Sequence, residues 1–201
     1  MSEALRVPQS TALLMMECQV GVLDPSGKFG FLGRRSEEKG MLAAIGKVLG
    51  ACRETKRPVV HCLAAGRADG GGRFLNAPLL RGSGTSLLTD PERARVVAPL
   101  TPIASDYQVA RLHGVSPFHD TELDSILRSL GVTTIIATGV SANVAITGML
   151  IEAVNRGYEA ILPTDCIAGA PTEYEELQIK FCYRNLATLT TADDVVAAMS
   201  A

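Results

Sequence analysis

Thr133-Thr-Ile-Ile-Ala-Thr-Gly139-Val-Ser-Ala-Asn-Val-Ala145 carries the decisive pattern of the chain. Its first seven residues form a short apolar, β-branched run of the kind that fills a strand buried on both faces. Gly139 closes the run, and a helix follows from about Ala142 to Arg156, stopping at Gly157. Strand, turn and helix in such close succession are the unit of a parallel sheet, and the unit recurs on both sides of this stretch.

Upstream, Thr11-Ala-Leu-Leu-Met-Met-Glu17 is an apolar run ending in a polar residue, again a buried parallel strand. A helix is expected from about Ser36 to Thr55. Ser36 is its N-cap, Glu37 and Glu38 occupy its first turn, and Met41, Ile45, Val48, Leu49 and Cys52 form one apolar stripe. Pro58 to Leu63 and Tyr107 to Arg111 read as further strands. Between them, Ala65 to Ser86 is a Gly-rich loop with Arg67, Arg73 and Arg81, long enough to be a lid or a subunit contact. Thr121 opens a helix in which Asp124 completes a capping-box-like pair and Leu123, Ile126, Leu127 and Leu130 face the core. After the decisive stretch come a strand over Tyr158 to Pro163 and a helix capped by Thr172 with Glu175. A strand over Ala187 to Thr190 and a terminal helix started by Thr191 with Asp194 complete the chain. The reading is a three-layer α/β/α, doubly wound, mostly parallel six-stranded sheet, Rossmann-like in plan, with right-handed crossovers. No repeat or linker divides residues 1–201, so one domain is expected.

Composition excludes several function classes. Hydrophobic residues make up 47% and charged residues 20% of the 201, which argues against disorder. The formal net charge is −2 with both signs spread along the chain, so the basic stripe of a nucleic-acid binder is absent. No apolar run reaches the roughly 18–20 residues of a membrane span. The N-terminus lacks the pattern of a signal peptide. Five cysteines (Cys18, Cys52, Cys62, Cys166, Cys182), odd in number and without CxxC spacing, suggest reduced thiols and a cytoplasmic protein. His113 and His119 lack metal-ligand spacing, and no metal or other cofactor is expected. Gly82-Ser-Gly-Thr-Ser86 has the spacing of neither nucleotide loop.

In an open parallel sheet, ligands bind beyond the carboxyl ends of the strands, where the strand order reverses. The residues expected there are Glu17, His61, Arg111 and the turn Gly139 to Ala145. A carboxylate after five apolar residues sits at the rim of the core, where its pKa can be tuned, although capping or ion pairing would place a Glu there equally well. The turn offers free backbone N–H groups and a helix dipole to an anion. His61 at a strand end is either a titrating group or a hydrogen-bonded structural one.

Taken together, the motifs resemble the isochorismatase-like hydrolases, the superfamily that includes nicotinamidases and other cysteine amidohydrolases. Ala12-Leu-Leu-Met-Met-Glu-Cys-Gln19 is similar to that family's apolar run followed by Asp-Met-Gln. Arg111-Leu-His-Gly-Val-Ser-Pro-Phe118 with Thr121-Glu-Leu-Asp124 is similar to Lys-x-x-x-Ser-Ala-Phe and Thr-x-Leu. Gly139-Val-Ser-Ala-Asn-Val-Ala145 is similar to Gly-Val-x-x-Asn-Val-Cys, and Thr164-Asp-Cys-Ile-Ala168 to Asp-Ala-Cys-Ala. The resemblance covers roughly Thr11 to Thr190 in order. It implies a hydrolase of a small-molecule substrate in a homodimer or larger assembly. It also implies a catalytic set at Glu17, Arg111 and Ala145, with substrate contacts from Gln19, His61, Phe118, Ser141 and Asn143.

The catalytic set departs from the family's Asp, Lys and Cys. Alanine at 145 cannot attack a carbon, so a thioester route through that position is excluded by atom content. Three readings follow. The first is a hydrolase without a covalent cysteine, using Glu17 as general acid or base with Arg111, as the true isochorismatases use an acid beside a small residue. The second is a ligand- or partner-binding member that has lost catalysis. The third is an amidohydrolase with a displaced cysteine. Arg111 either lowers the pKa of Glu17 by proximity or clamps an anionic substrate group and leaves Glu17 free to take up a proton. Glu preserves the carboxylate and Arg the cation, which favours a working site over drift.

Overall fold

In the computed structural model the described residues are 5–72, 74–82 and 89–200. Arg73 and most of Gly82-Ser-Gly-Thr-Ser86, both singled out from sequence, lie outside them. The strands are β1 (Thr11–Met16), β2 (Val59–Ala64), β3 (Tyr107–Arg111), β4 (Thr134–Val140), β5 (Glu159–Pro163), β6 (Ile167–Ala168) and β7 (Thr188–Thr190). They form one sheet in the order β3-β2-β1-β4-β5-β7, with β6 paired to the end of β4, and all these pairings are parallel. The expected six-stranded sheet thus has seven strands. The added one, β6, is two residues long, too short for an alternation to show in sequence.

Alternation along β1 makes the layers. Leu13 and Met15 join a cluster with Met41, Ile45, Val48 and Cys52 of one helix and Val195 of the last. Ala12, Leu14 and Met16 join the opposite cluster with Leu123, Leu127, Ile146 and Leu150. All six β1 residues are buried, so the strand anchors helices on both faces. Each fully buried Leu or Met contributes about 1.5–3 kcal/mol of transfer free energy.

Several helix ends differ from the expectation. The helix read over Ser36 to Thr55 is two, Gly30–Lys39 and Met41–Glu54, broken at Gly40 in a left-handed conformation (φ 65°). Ser36 is therefore buried inside the first helix rather than capping a second one, and Glu37 and Glu38 lie in its last turn. The helix after β4 begins at Ala145 rather than Ala142, because the Ala142 N–H donates sideways to the Ala168 carbonyl of β6. The helix Leu123–Ser129 starts after Thr121, whose hydroxyl accepts from the Leu123 N–H. Asp124 instead accepts from Tyr158 and Arg128, and Leu130 is exposed. The helix Thr172–Phe181 is not capped by Glu175, a buried residue that accepts from Lys39, Arg35 and the Gly169 N–H. At the last helix, Ala192–Ser200, the Thr191 hydroxyl donates to Asp194 and accepts from its N–H, the reciprocal cap expected.

The chain runs outward from β1 through β2 to β3 and then returns to the other side of β1 as β4. The order reverses between β1 and β4, and the crevice beyond their carboxyl ends is the ligand position of a doubly wound sheet. Met16 and Gly139 pair at that end. Gly139 has φ 102°, and a Cβ there would lie 2.1 Å from the Met16 carbonyl oxygen, so only glycine lets β4 turn away this close to β1.

Candidate active site

Glu17 follows β1 directly and takes a left-handed backbone conformation (φ 51°), which costs a non-glycine residue about 1–3 kcal/mol and recurs at functional sites. Two backbone bonds hold it there: its N–H donates to the Cys62 carbonyl at 2.9 Å, and its carbonyl accepts from the Gln19 N–H at 2.7 Å. The turn aims the side chain into the crevice instead of into either core layer.

Arg111, the last residue of β3, pairs in register with Ala64 at the end of β2. Its Nη2 donates to Glu17 Oε1 in a direct ion pair, with the two side chains 10% and 16% exposed. Arg111 Nη1 is buried and has no hydrogen-bond partner among the described residues. Burial pushes the Glu17 pKa above the usual carboxylate range, and the Arg111 guanidinium opposes that rise without cancelling it.

Both residues line a cavity of about 260 Å³ at the switch point, together with Ser141, Asn143, Val144 and Ala145. Ala145 is the first residue of the helix Ala145–Asn155, so its N–H lies ahead of the first intrahelical bond, at the positive end of the dipole. Asn143 is fixed by a reciprocal pair with Ala170, its Nδ2 donating to the carbonyl and its Oδ1 accepting from the N–H. The Val140–Ser141 and Ala170–Pro171 peptides at this edge are cis. Behind Ala170, Glu175 ties Gly169 to Lys39 and Arg35.

Of the eight residues read from sequence, the structure brings Glu17, Arg111, Ala145, Ser141 and Asn143 to one cavity. The other three stand outside its lining. Gln19 is 1% exposed and serves as a brace: its amide donates to the Ala64 and Ala94 carbonyls and accepts from the Ala64 N–H, using both ends of the side chain. His61 is buried in mid-strand, with Nε2 3.2 Å from Asp106 Oδ2, and burial lowers its pKa against the pull of Asp106. Phe118 is a core residue stacked on Tyr158 beneath Arg156.

The cavity also takes residues that sequence reasoning did not assign. Phe29 and Phe31 come from the start of the helix Gly30–Lys39, and Phe74 and Leu79 from the Gly/Arg loop. His113 stands two residues beyond Arg111, its ring 4.7 Å from that of Phe74 and its Nδ1 buried without a partner. Three of the chain's five phenylalanines line this one cavity, a clustering of a scarce residue type that spacing alone does not reveal.

None of the five cysteines is among the lining residues. Cys18 and Cys62, the nearest in sequence to the site, are buried, and burial pushes both thiols up to about 12. Among the described residues no group of three or more His, Cys, Asp or Glu is placed to hold a metal ion, and no helix is long and apolar enough to cross a membrane.

A seven-stranded, parallel, doubly wound sheet with an acid–guanidinium pair and a helix N-terminus at its switch point defines the class: an α/β protein with a small-molecule crevice. Residues 11–194 match the isochorismatase domain family, and the chain belongs to that family. The isochorismatase family protein YaaI of Bacillus subtilis is 29% identical over 107 residues, 52% of this chain and 59% of that protein. Ureidoacrylate amidohydrolase RutB of Methylobacterium radiotolerans is 36% identical over 78 residues, 39% of this chain and 30% of that protein. The matched stretches therefore span less than two thirds of either relative. An isochorismatase family protein from Burkholderia thailandensis has the same fold throughout, with a TM-score of 0.83 at 22% identity, covering 99% of this chain and all of that one.

Proposed function

We propose that the protein is a hydrolase of a small molecule bearing an anionic oxygen group, working without a covalent cysteine. The observation that carries the reading is Arg111 Nη1, a charged donor buried in the cavity wall without a hydrogen-bond partner among the described residues. A buried unsatisfied charged donor is costly, and a ligand oxygen would satisfy it. The other Nη is committed to Glu17. An anion drawing the guanidinium onto itself would leave Glu17 with its raised pKa and little to hold it ionised, so Glu17 would take up a proton and deliver it to the leaving group, while water bonds to the carbon that the group leaves and its proton restores the Glu17 acid. The Ala145 N–H and the helix dipole favour negative charge developing beside it. Membership of a family that includes the amidohydrolase RutB supports hydrolysis as the reaction type.

A displaced cysteine fits poorly, because a nucleophile needs a lowered pKa and access, and Cys18 and Cys62 have neither. The missing thiol at Ala145 is what favours the second reading, a member that binds without turnover. Free thiols at all five cysteines and the family resemblance are the grounds for proposing a cytoplasmic homo-oligomer. The test is Arg111→Lys, which keeps the charge but loses the planar fork. KM should rise about ten-fold or more with a smaller change in kcat. An unchanged KM would count against Arg111 as the anchor.

A further inference from the structure

The wall above the Glu17–Arg111 pair is apolar to a degree that hydrolysis does not require. Phe31, Phe74, Leu79 and Leu112 are each between 41% and 49% exposed, and all four face the same cavity. Phe29 meets Phe31 edge-on at 6.3 Å deeper in the wall. Exposed apolar side chains are ordinarily scattered, and their convergence on a concave wall marks a binding surface. Buried unpartnered atoms at the cavity, Arg111 Nη1 and His113 Nδ1, make this a pocket for a ligand with a polar head rather than a flat patch for protein. Charge narrows the head further. Glu17 and Arg111 are the only acid and the only Lys or Arg among the described lining residues, and they neutralise each other.

We propose that the substrate is a small amphiphile, a single carboxylate on an aryl or branched-alkyl body, and not a dicarboxylate or a polyhydroxylated compound. This rests on the hydrolase reading for its role as substrate but not for its binding. The head takes the free Nη1 of Arg111, and the body replaces water against Phe31, Phe74 and Leu79. A second anionic group would meet Glu17 with no cation left to offset it.

Calorimetric titration of the wild-type protein with phenylpropionate, propionate, phenylpropanol and succinate separates the contributions. Phenylpropionate should bind roughly ten-fold or more tighter than each of the others, since burying a phenyl ring and making one charged hydrogen bond are each worth at least a decade. Phe31→Ala and Phe74→Ala, both at half-exposed positions that leave the core intact, should each cut phenylpropionate binding several-fold and leave propionate unchanged. Equal binding of propionate and phenylpropionate, tighter binding of succinate, no binding of any probe, or indifference to both Phe variants would overturn the proposal. So would sedimentation showing the apolar rim buried in a self-associated form that Phe31→Asp dissociates. Aryl-carboxylate binding without turnover of any matching amide, ester or enol ether would sink the hydrolase reading and leave this inference standing. Turnover of polar substrates without aryl preference would do the reverse.

Discussion

Replacing Arg111 by methionine keeps most of the side-chain volume but removes the only cation beside Glu17 among the described lining residues. The loss has little to do with Nη1, which has no partner to lose. It lies in the Glu17 carboxylate, 16% exposed and left without its counter-charge. Breaking a buried pair by deleting one partner costs about 3–5 kcal/mol while the remaining group stays ionised, and the open cavity places this site near the lower figure. Glu17 has an escape, because burial already raises its pKa and losing Arg111 raises it further. A carboxyl whose folded pKa lies above its unfolded value contributes full stability below the unfolded pKa and loses it as pH rises through the folded one. The destabilisation should therefore be smaller near pH 5 than near pH 8, rising toward about 3 kcal/mol as the carboxyl is forced to ionise. Urea unfolding at both pH values measures it, and adding Glu17→Gln should restore most of the loss at pH 8. A pH-independent destabilisation, or no rescue by the second substitution, would refute the coupling.

Glu175→Gln should destabilise by about 2–4 kcal/mol at pH 7, because it leaves the Lys39 charge without its carboxylate and Arg35 with only the exposed Glu38. Burial would raise the Glu175 pKa, but hydrogen bonds from Lys39, Arg35 and the Gly169 N–H outweigh it and bring it below the usual value. That contribution is present above the unfolded carboxyl pKa and is lost as pH falls through the folded one, so the wild type should lose stability in acid and the variant should lose less. Gly139→Ala should cost about 3 kcal/mol or more, since a methyl 2.1 Å from the Met16 carbonyl must push β1 and β4 apart at the crevice. A cost below about 1 kcal/mol in denaturant titration would mean that the turn relaxes freely.

Runs such as Thr11–Met16 and Thr134–Val140 are legible as strands because a strand buried on both faces is filled almost continuously by apolar and β-branched residues. Glu17 is legible for a related reason, as the polar residue where such a run meets the crevice, whereas Arg111 ends a mostly exposed edge strand and is legible only through the order of the motifs. Side-chain direction is less accessible. β2 runs one residue further than expected, to Ala64, which leaves His61 three residues short of its carboxyl end on a face set by pairing with Met15 and Gln108. Gln19 spends its amide on carbonyls 45 and 75 residues away, a use visible only after folding. Phe74 and Leu79 reach the cavity through loop closure, for which no periodicity exists. The break at Gly40 leaves no mark in the apolar stripe, which lies wholly beyond it from Met41 to Cys52, and Ser36 with Glu37 and Glu38 imitates a helix start, although the glycine itself is the signal.

Catalysis in this site rests on Glu17 working where no thiol does. Turnover should be measured on the best substrate of a panel of small aryl-carboxylate amides, esters and enol ethers, for the wild type, for Glu17→Gln and after thiol alkylation. Glu17→Gln should lower kcat by about 10²–10⁴-fold with KM little changed. Alkylation should leave the rate intact, and wild-type kcat should fall as pH rises through the elevated Glu17 pKa. Full turnover in Glu17→Gln, or its loss on alkylation, would contradict the account.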